Sequence, residues 1–442
     1  MTDLKKRAAE CLAKLKAAGA DTAQARLSLS EKREFNIDGG EFSLFRTTFN
    51  RSLTMTAFRD TKTGSVSVNS FDAEDVDRAV ADCRASVESD KPDPARGIAE
   101  NQGERELTYG VPEPDAEKFF IRTRELKEEI EKRYPSIIME QMINAHDKTE
   151  SVYADTNGNL FHLLYGSYGV GLMFSAHRGD KSSSFMGCEY ETADLDTPLI
   201  EQGDIARVLA DTEKQIDTVP VAGSFTGTVV LAPDCLAELL NCAIGNFATG
   251  TPLIDGTSIW RDKLGKQVAS PTFTLSLAPH DPAVILPQQL TSDGYLTEDF
   301  DLIKNGVLES FVAGIYVSNK VGCPRSKNTA TGWLVMPAGD KPLDELISGV
   351  KDGLFVYRFS GGHPANNGDF SGVANNGDFS GVAKNSFRIK DGKIADAVSE
   401  TMISGNLADM LFRFEGASSE RVSNGYSVLP FAAFSGITIS GK

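Results

Sequence analysis

What most restricts the folding of this chain is its punctuation. Asp38-Gly39-Gly40, Asn157-Gly158, Asp293-Gly294, Asn305-Gly306 and Asp391-Gly392 interrupt runs in which apolar residues recur at every second position. Asn and Asp tolerate the left-handed backbone of a tight turn and Gly adopts it at no steric cost, so such pairs mark hairpins between neighbouring strands. Leu27 and Leu29, then Phe35 and Ile37, alternate with polar residues before the first turn. Leu53, Met55 and Ala57 alternate after it, and Val66 and Val68 read as a short further strand, with Thr63-Gly64 as the turn between. Tyr168, Val170, Leu172 and Phe174 make the clearest half-buried strand.

Helical spacing appears between these runs. Asp3 stands as an N-cap before a face of Leu4, Ala8, Cys11, Leu12 and Leu15, and Gly19 stops that helix. A second helix opens near Asp72 and carries Val76, Val80, Cys83 and Val87. A charged helix spans about 116–133 and ends before Pro135; others are predicted near 205–216, 236–244 and 343–350. The fold class is therefore α+β. An N-terminal domain of helices and antiparallel strands covers 1–90. A linker rich in Pro, Gly and charge covers 91–114. A middle α/β domain covers 115–220, and a Gly-rich, mostly antiparallel β domain with a few helices covers 221–442. The last sheet reads as open, a sandwich or a partial barrel.

One repeat stands out. ANNGDFSGV at 365–373 recurs at once at 374–382. Nine residues are too few for a solenoid unit, and an odd offset reverses the faces of a strand. One copy is expected to hold the core while the other loops out, as a recent duplication would.

Charge narrows the function. Lys+Arg number 45 against 62 Asp+Glu, a net charge of −17, and no basic run offsets it. Such a surface repels phosphate backbones, which argues against nucleic-acid binding. The six cysteines are scattered without a C-x-x-C pair, the pattern of reduced, buried thiols. The first residues form an amphipathic helix with no unbroken apolar core, and no stretch has the roughly 18 apolar residues of a membrane helix. A cytoplasmic location and no membrane association are the expectation.

Signatures of chemistry are sparse. The five histidines, His146, His162, His177, His280 and His363, never fall at ligand spacing from one another. The chain lacks H-E-x-x-H, G-x-S-x-G, the phosphate-binding loop and a dinucleotide fingerprint. A metal site built from distant histidines stays open. Gly361-Gly362-His363 suits either a turn or a close approach to a ligand. Cys242 reads either as a thiol nucleophile or as a packed, inert thiol.

Several ordered segments carry a resemblance. GTVVLAPDCLAELLNCAIGNF (227–247) reads as a strand, a Pro-Asp helix start and a helix. Together with DTNG (155–158), LIKNGVLESFV (302–312), the Gly361-Gly362-His363 region running on to 394, and SETMISGNLADML (399–411), it resembles the TldD/PmbA family, also called TldD/TldE. In TldD-type subunits the equivalent helix carries an H-E-x-x-x-H zinc motif with the Glu as general base. Here the matching residues are Asn241, Cys242 and Asn246, and the region matching the further cysteine ligand, 419–426, contains no cysteine. Amides lack the imidazole lone pair that grips zinc.

The chain thus looks like the TldE or PmbA type. The resemblance implies a subunit with no cofactor of its own and no catalytic residues. It would complete a hollow peptidase with a zinc-bearing TldD-type partner that trims short, unfolded peptides such as peptide precursors or an antitoxin. Gly362, His363 and Asn406 are the candidate peptide-channel residues, and a homodimer in isolation is a candidate assembly. Two other readings stand beside this one. The first is an autonomous peptidase using an unrecognised metal or Cys242. The second is a binding protein for DNA gyrase or a toxin–antitoxin partner. The family's label as a modulator of DNA gyrase reads as an indirect effect, given the acidic charge.

Overall fold

The computed structural model describes residues 3–360, 372–373, 376–399 and 401–441. The chain is α+β, as the punctuation predicts, and its described strands fall into two sheets. The first sheet runs in the order Lys62–Val68, Glu41–Arg59, Thr22–Asp38, Ile137–Asp155, Leu160–Arg178 and Glu104–Gly110, and Met186–Thr192 also pairs with Leu160–Arg178. Four of these strands hold 17–19 residues, a reach of about 60 Å.

The helix Leu4–Ala17 starts on Asp3, whose carboxylate accepts from the Lys6 amide at 3.1 Å. With the helix Ala73–Ser89 it covers one end of this sheet and closes a core of Leu15, Leu27, Leu53, Met55, Val76 and Cys83. The helix Ala116–Arg133 covers the other end through Phe119, Leu126 and Ile130.

Two expectations are corrected here. Thr63-Gly64 is not a turn. The chain reverses at Asp60 and Thr61, with φ of 52° and 62°, and Gly64 lies inside the strand Lys62–Val68. A Cβ on Gly64 would stand 2.5 Å from the Cys83 carbonyl oxygen, so this glycine lets the helix Ala73–Ser89 touch the sheet. The stretch 91–114 is also not all linker. Glu104–Gly110 pairs in parallel with Leu160–Gly166 as an edge strand, held by its backbone, with every side chain at least partly exposed. It carries no apolar alternation because neither face is fully covered.

Segments 1–90 and 115–220 moreover share one sheet. Gln24–Asp38 pairs antiparallel with Gln141–Asp155 along its whole length.

The second sheet is built on the adjacent strands Ser224–Leu231 and Val428–Ser440, which pair antiparallel. Parallel pairings occur at Ser224–Leu231 with Asp352–Val356, at Leu334–Val335 with Val428–Ser440, and at Thr218–Pro220 with Lys393–Ser399; the rest are antiparallel. The predicted helices become Ile205–Lys214, Pro233–Phe247 and Leu343–Ser348. The short helices Gly250–Asp255, Ile315–Val321 and Leu407–Phe412 show too few turns for a period to appear in the sequence. Tyr168 and Leu172 of the first sheet share one buried cluster with Val230, Phe355 and Phe431 of the second.

The second repeat copy holds the core. Asp378–Lys384 is a strand between Arg358–Ser360 and Thr401–Asn406, and Phe379 and Ala383 are buried. Of the first copy, Gly372–Val373 pairs with Phe379–Ser380, while 365–371 lies outside the described residues.

Candidate functional site

The strand Ser224–Leu231 passes through Ala232 straight into the helix Pro233–Phe247. Pro233 suits the first helical turn, because its missing N–H would have no partner there. Cys235, Leu236, Leu239, Leu240, Ala243, Ile244 and Phe247 form the buried stripe. Helical geometry therefore turns Glu238, Asn241, Cys242, Gly245 and Asn246 to the other side, where all are at least partly exposed. A Cβ on Gly245 would meet nothing within 4 Å, so this face looks onto open space.

This face carries one carboxylate, Glu238, beside two amides and a thiol. The Asn241 Oδ1 is buried and finds no hydrogen-bond partner among the described residues. Burial, reinforced by the negative charge of Glu238, pushes the Cys242 thiol above its ordinary range. A protonated thiol is a poor nucleophile and a poor zinc ligand. Asn246 lies one turn past Cys242, partly exposed. A single carboxylate beside two neutral amides and a protonated thiol does not fit a zinc ion, whose sites combine several imidazole, thiolate and carboxylate ligands. Among the described residues no group of three or more His, Cys, Asp and Glu is placed to hold a metal ion.

The described histidines are engaged elsewhere. His146 Nε2 meets the Val111 carbonyl at 2.6 Å, His162 lies between Glu106 and Glu150, His177 pairs with the Ser175 hydroxyl and His280 with Thr297. Gly362 and His363 lie outside the described residues.

Asn406 is fully occupied. Its Oδ1 accepts from the Ala408 and Asp409 amides, capping the helix Leu407–Phe412. Its Nδ2 donates to the Asn376 carbonyl and to Asp378 Oδ1. Its amide thus ties the second repeat copy to that helix and keeps no N–H for another partner.

The region 419–426 meets the helix at its other end. Val422, Ser423 and Asn424 line a cleft with Pro233 and Asp234, about two turns before Asn241. The repeat reaches the far end of the helix, where Trp260 also packs on Phe247. Gly377 has φ +91°, and a Cβ there would stand 2.5 Å from the Phe247 ring. Nothing in the two identical copies reveals which of them makes this contact.

These arrangements can be set beside known proteins. The family model described as the PmbA/TldA metallopeptidase C-terminal domain matches residues 224–441, which include this helix. "Metalloprotease PmbA" of Escherichia coli O157:H7 is 25% identical over 86% of this chain and 81% of its own. A "Metalloprotease" of Methanothermobacter thermautotrophicus is 27% identical over 60% of this chain, and the match spans 57% of that relative's length. The crystal structure of TldE from Thermococcus kodakarensis superposes with a TM-score of 0.83 at 18% identity, covering 98% of this chain and all of that one, which establishes a shared fold. The chain belongs to the TldD/PmbA family of metalloprotease-like proteins.

Proposed function

We propose that this chain is the non-catalytic subunit of a two-chain, TldD/TldE-type peptidase, paired with a homologous chain that carries the zinc. The observation behind this reading is the helix Pro233–Phe247. Its buried stripe and its junction with the sheet are complete, while its open face bears Asn241, Cys242 and Asn246 in place of ligands and base. A helix kept intact around a metal-incompetent face suits a part retained for shape. Amides offer hydrogen bonds to a peptide backbone but no proton transfer near neutral pH. Short, unfolded peptides are the substrate class for the assembled enzyme.

The test is a mixing experiment. The zinc-bearing homologue is assayed on a peptide library with and without this chain, and this chain is assayed alone. Cleavage should depend on both chains and be abolished by a chelator. Equal cleavage without this chain, or chelator-sensitive cleavage by this chain alone, would sink the proposal.

A further inference from the structure

The strand Leu160–Arg178 has two unlike faces. Tyr168, Val170 and Leu172 are buried in the core. The residues between them, Ser167, Gly169 and Gly171, are small and turn to the other face. That face continues across the sheet, because Ala145 pairs with Gly169, Gly169 with Glu191, and Lys32 with Asp147. Small residues in the middle and long ones at the sides leave a hollow. The segment before Val428–Ser440 borders it, with the Asn424 carbonyl accepting from the Glu191 amide at 3.0 Å. The result is a cavity of about 390 Å³ lined by Lys32, Asp147, Glu189, Glu191, Asn424 and Tyr426, among others.

The charge in this cavity is unbalanced. Three carboxylates line it, and among the described lining residues Lys32 is the one cation, 3.8 Å from Asp147 and shared with Glu34 at 4.0 Å. Burial lifts the Glu191 carboxyl above its ordinary range, and the charges of Asp147 and Glu189 add to the rise. Burial, and then the charges of Glu191 and Asp147, push the Tyr426 hydroxyl up to about 12. The Ser167 hydroxyl donates to Glu191 Oε2 at 2.6 Å. The other oxygen, Oε1, lies on the glycine side, where a Cβ at Gly169 would stand 2.9 Å from it.

A second observation lies at the end of the same face. Asn36 pairs with Ile143, which lines the cavity, so both side chains stand on the hollow side. Asn36 is 9% exposed, and its Oδ1 finds no hydrogen-bond partner among the described residues. A buried acceptor is seldom left open unless a donor reaches it from outside the chain. Along the strand, Ile143 and Asp147 are about 13 Å apart. A small amine cannot span that distance; an extended peptide can.

We propose that this cavity holds the guanidinium or ammonium of an Arg or Lys side chain on a short extended peptide, with a peptide N–H donating to Asn36 Oδ1. The inference rests on the reading that short peptides are the substrates, and it narrows them to cationic ones. Charge-assisted hydrogen bonds to Glu191 and Asp147 supply the preference.

The test uses the full chain alone and fluorescence anisotropy at physiological salt. The probe is a dye-labelled, N-acetylated hexapeptide with one Arg, compared with the same peptide carrying citrulline, its neutral isostere. The Arg peptide should bind at least tenfold more tightly. Glu191→Gln and Asp147→Asn should each weaken it at least fivefold. Asp82→Asn, at an exposed carboxylate on the helix Ala73–Ser89, should leave it unchanged. Lys32→Met removes the resident cation and should tighten binding at least threefold, a gain that misfolding cannot mimic. Asn36→Leu should weaken the Arg and citrulline peptides by the same factor. Agmatine, which carries the guanidinium without a backbone, should compete at least tenfold more weakly than the unlabelled Arg peptide. Equal affinity for the two peptides, a loss from Asp82→Asn as large as that from Glu191→Gln, no gain from Lys32→Met, no loss from Asn36→Leu, or agmatine competing as well as the peptide would overturn the inference. The mixing experiment is scored separately. A chain that cleavage requires but that binds both peptides alike keeps the proposed function and loses this inference; charge-selective binding by a chain that cleavage does not require does the reverse.

Discussion

Asn241, Cys242 and Asn246 occupy one helix face beside the buried stripe, with Cys242 packed against the edge of the core. Asn241→His, Cys242→Glu and Asn246→His together would place H-E-x-x-x-H on this face. The expected outcome is no stoichiometric zinc after dialysis and no chelator-sensitive peptide cleavage. Two imidazoles leave a tetrahedral ion short of protein ligands, and among the described residues no group of three or more His, Cys, Asp and Glu is placed to hold a metal ion. Metal analysis and a peptide assay on the purified variant check this; tight zinc with fast cleavage would contradict it. The identity of these residues was legible in the sequence, as was their common face, because position on a helix follows from a 3.6-residue period. That the Asn241 oxygen finds no partner among the described residues, or that Asn406 spends its whole amide on a cap and the repeat, was not legible. Hydrogen-bond partners come from segments remote in the chain.

Among the elements, the sharpest dependence lies where the repeat meets the helix Pro233–Phe247. Gly377 combines a left-handed backbone with contact against the buried Phe247 ring. Gly377→Ala should lower stability by about 2–3 kcal/mol, from left-handed strain plus displacement of the ring. A urea titration against wild type measures it; an unchanged midpoint would show that the strand Asp378–Lys384 yields easily. The long elements could be read from periodicity: the helix over 116–133 and the strand through Tyr168–Phe174 appear where the pattern places them. Elements without a period escaped. Glu104–Gly110 lies at an edge, the helix Leu407–Phe412 spans under two turns, and Gly64 imitates a turn residue while serving a helix contact.

At the scale of the whole molecule, the two sheets meet around a cleft lined by Cys188, Tyr190, Asp204, Val208, Pro233 and Tyr357. Burial raises the Asp204 carboxyl to about 7 despite the Arg207 guanidinium 3.2 Å away, and the neighbouring charge of Asp211 adds to the rise. The folded state therefore binds this proton more tightly than the unfolded chain does. Its contribution to stability is fully present below the unfolded value near 3.8 and is lost as pH rises through about 7. The size of the effect is on the order of 4 kcal/mol. Asp204→Asn should flatten the fall in thermal midpoint between pH 5 and about 8 and raise the midpoint at the alkaline end. Identical pH profiles for variant and wild type would refute that. By itself the sequence determined the α+β class, the main helices and hairpins, the acidic charge and the absence of an H-E-x-x-x-H motif, because each rests on local backbone preference, local periodicity or side-chain identity. Only the tertiary structure decided that residues 22–38 and 137–155 share a sheet, which repeat copy is packed and how Asp204 is buried. Each of these depends on which distant segments come together, and that is set by the joint burial of apolar faces across the whole chain, not by any stretch alone.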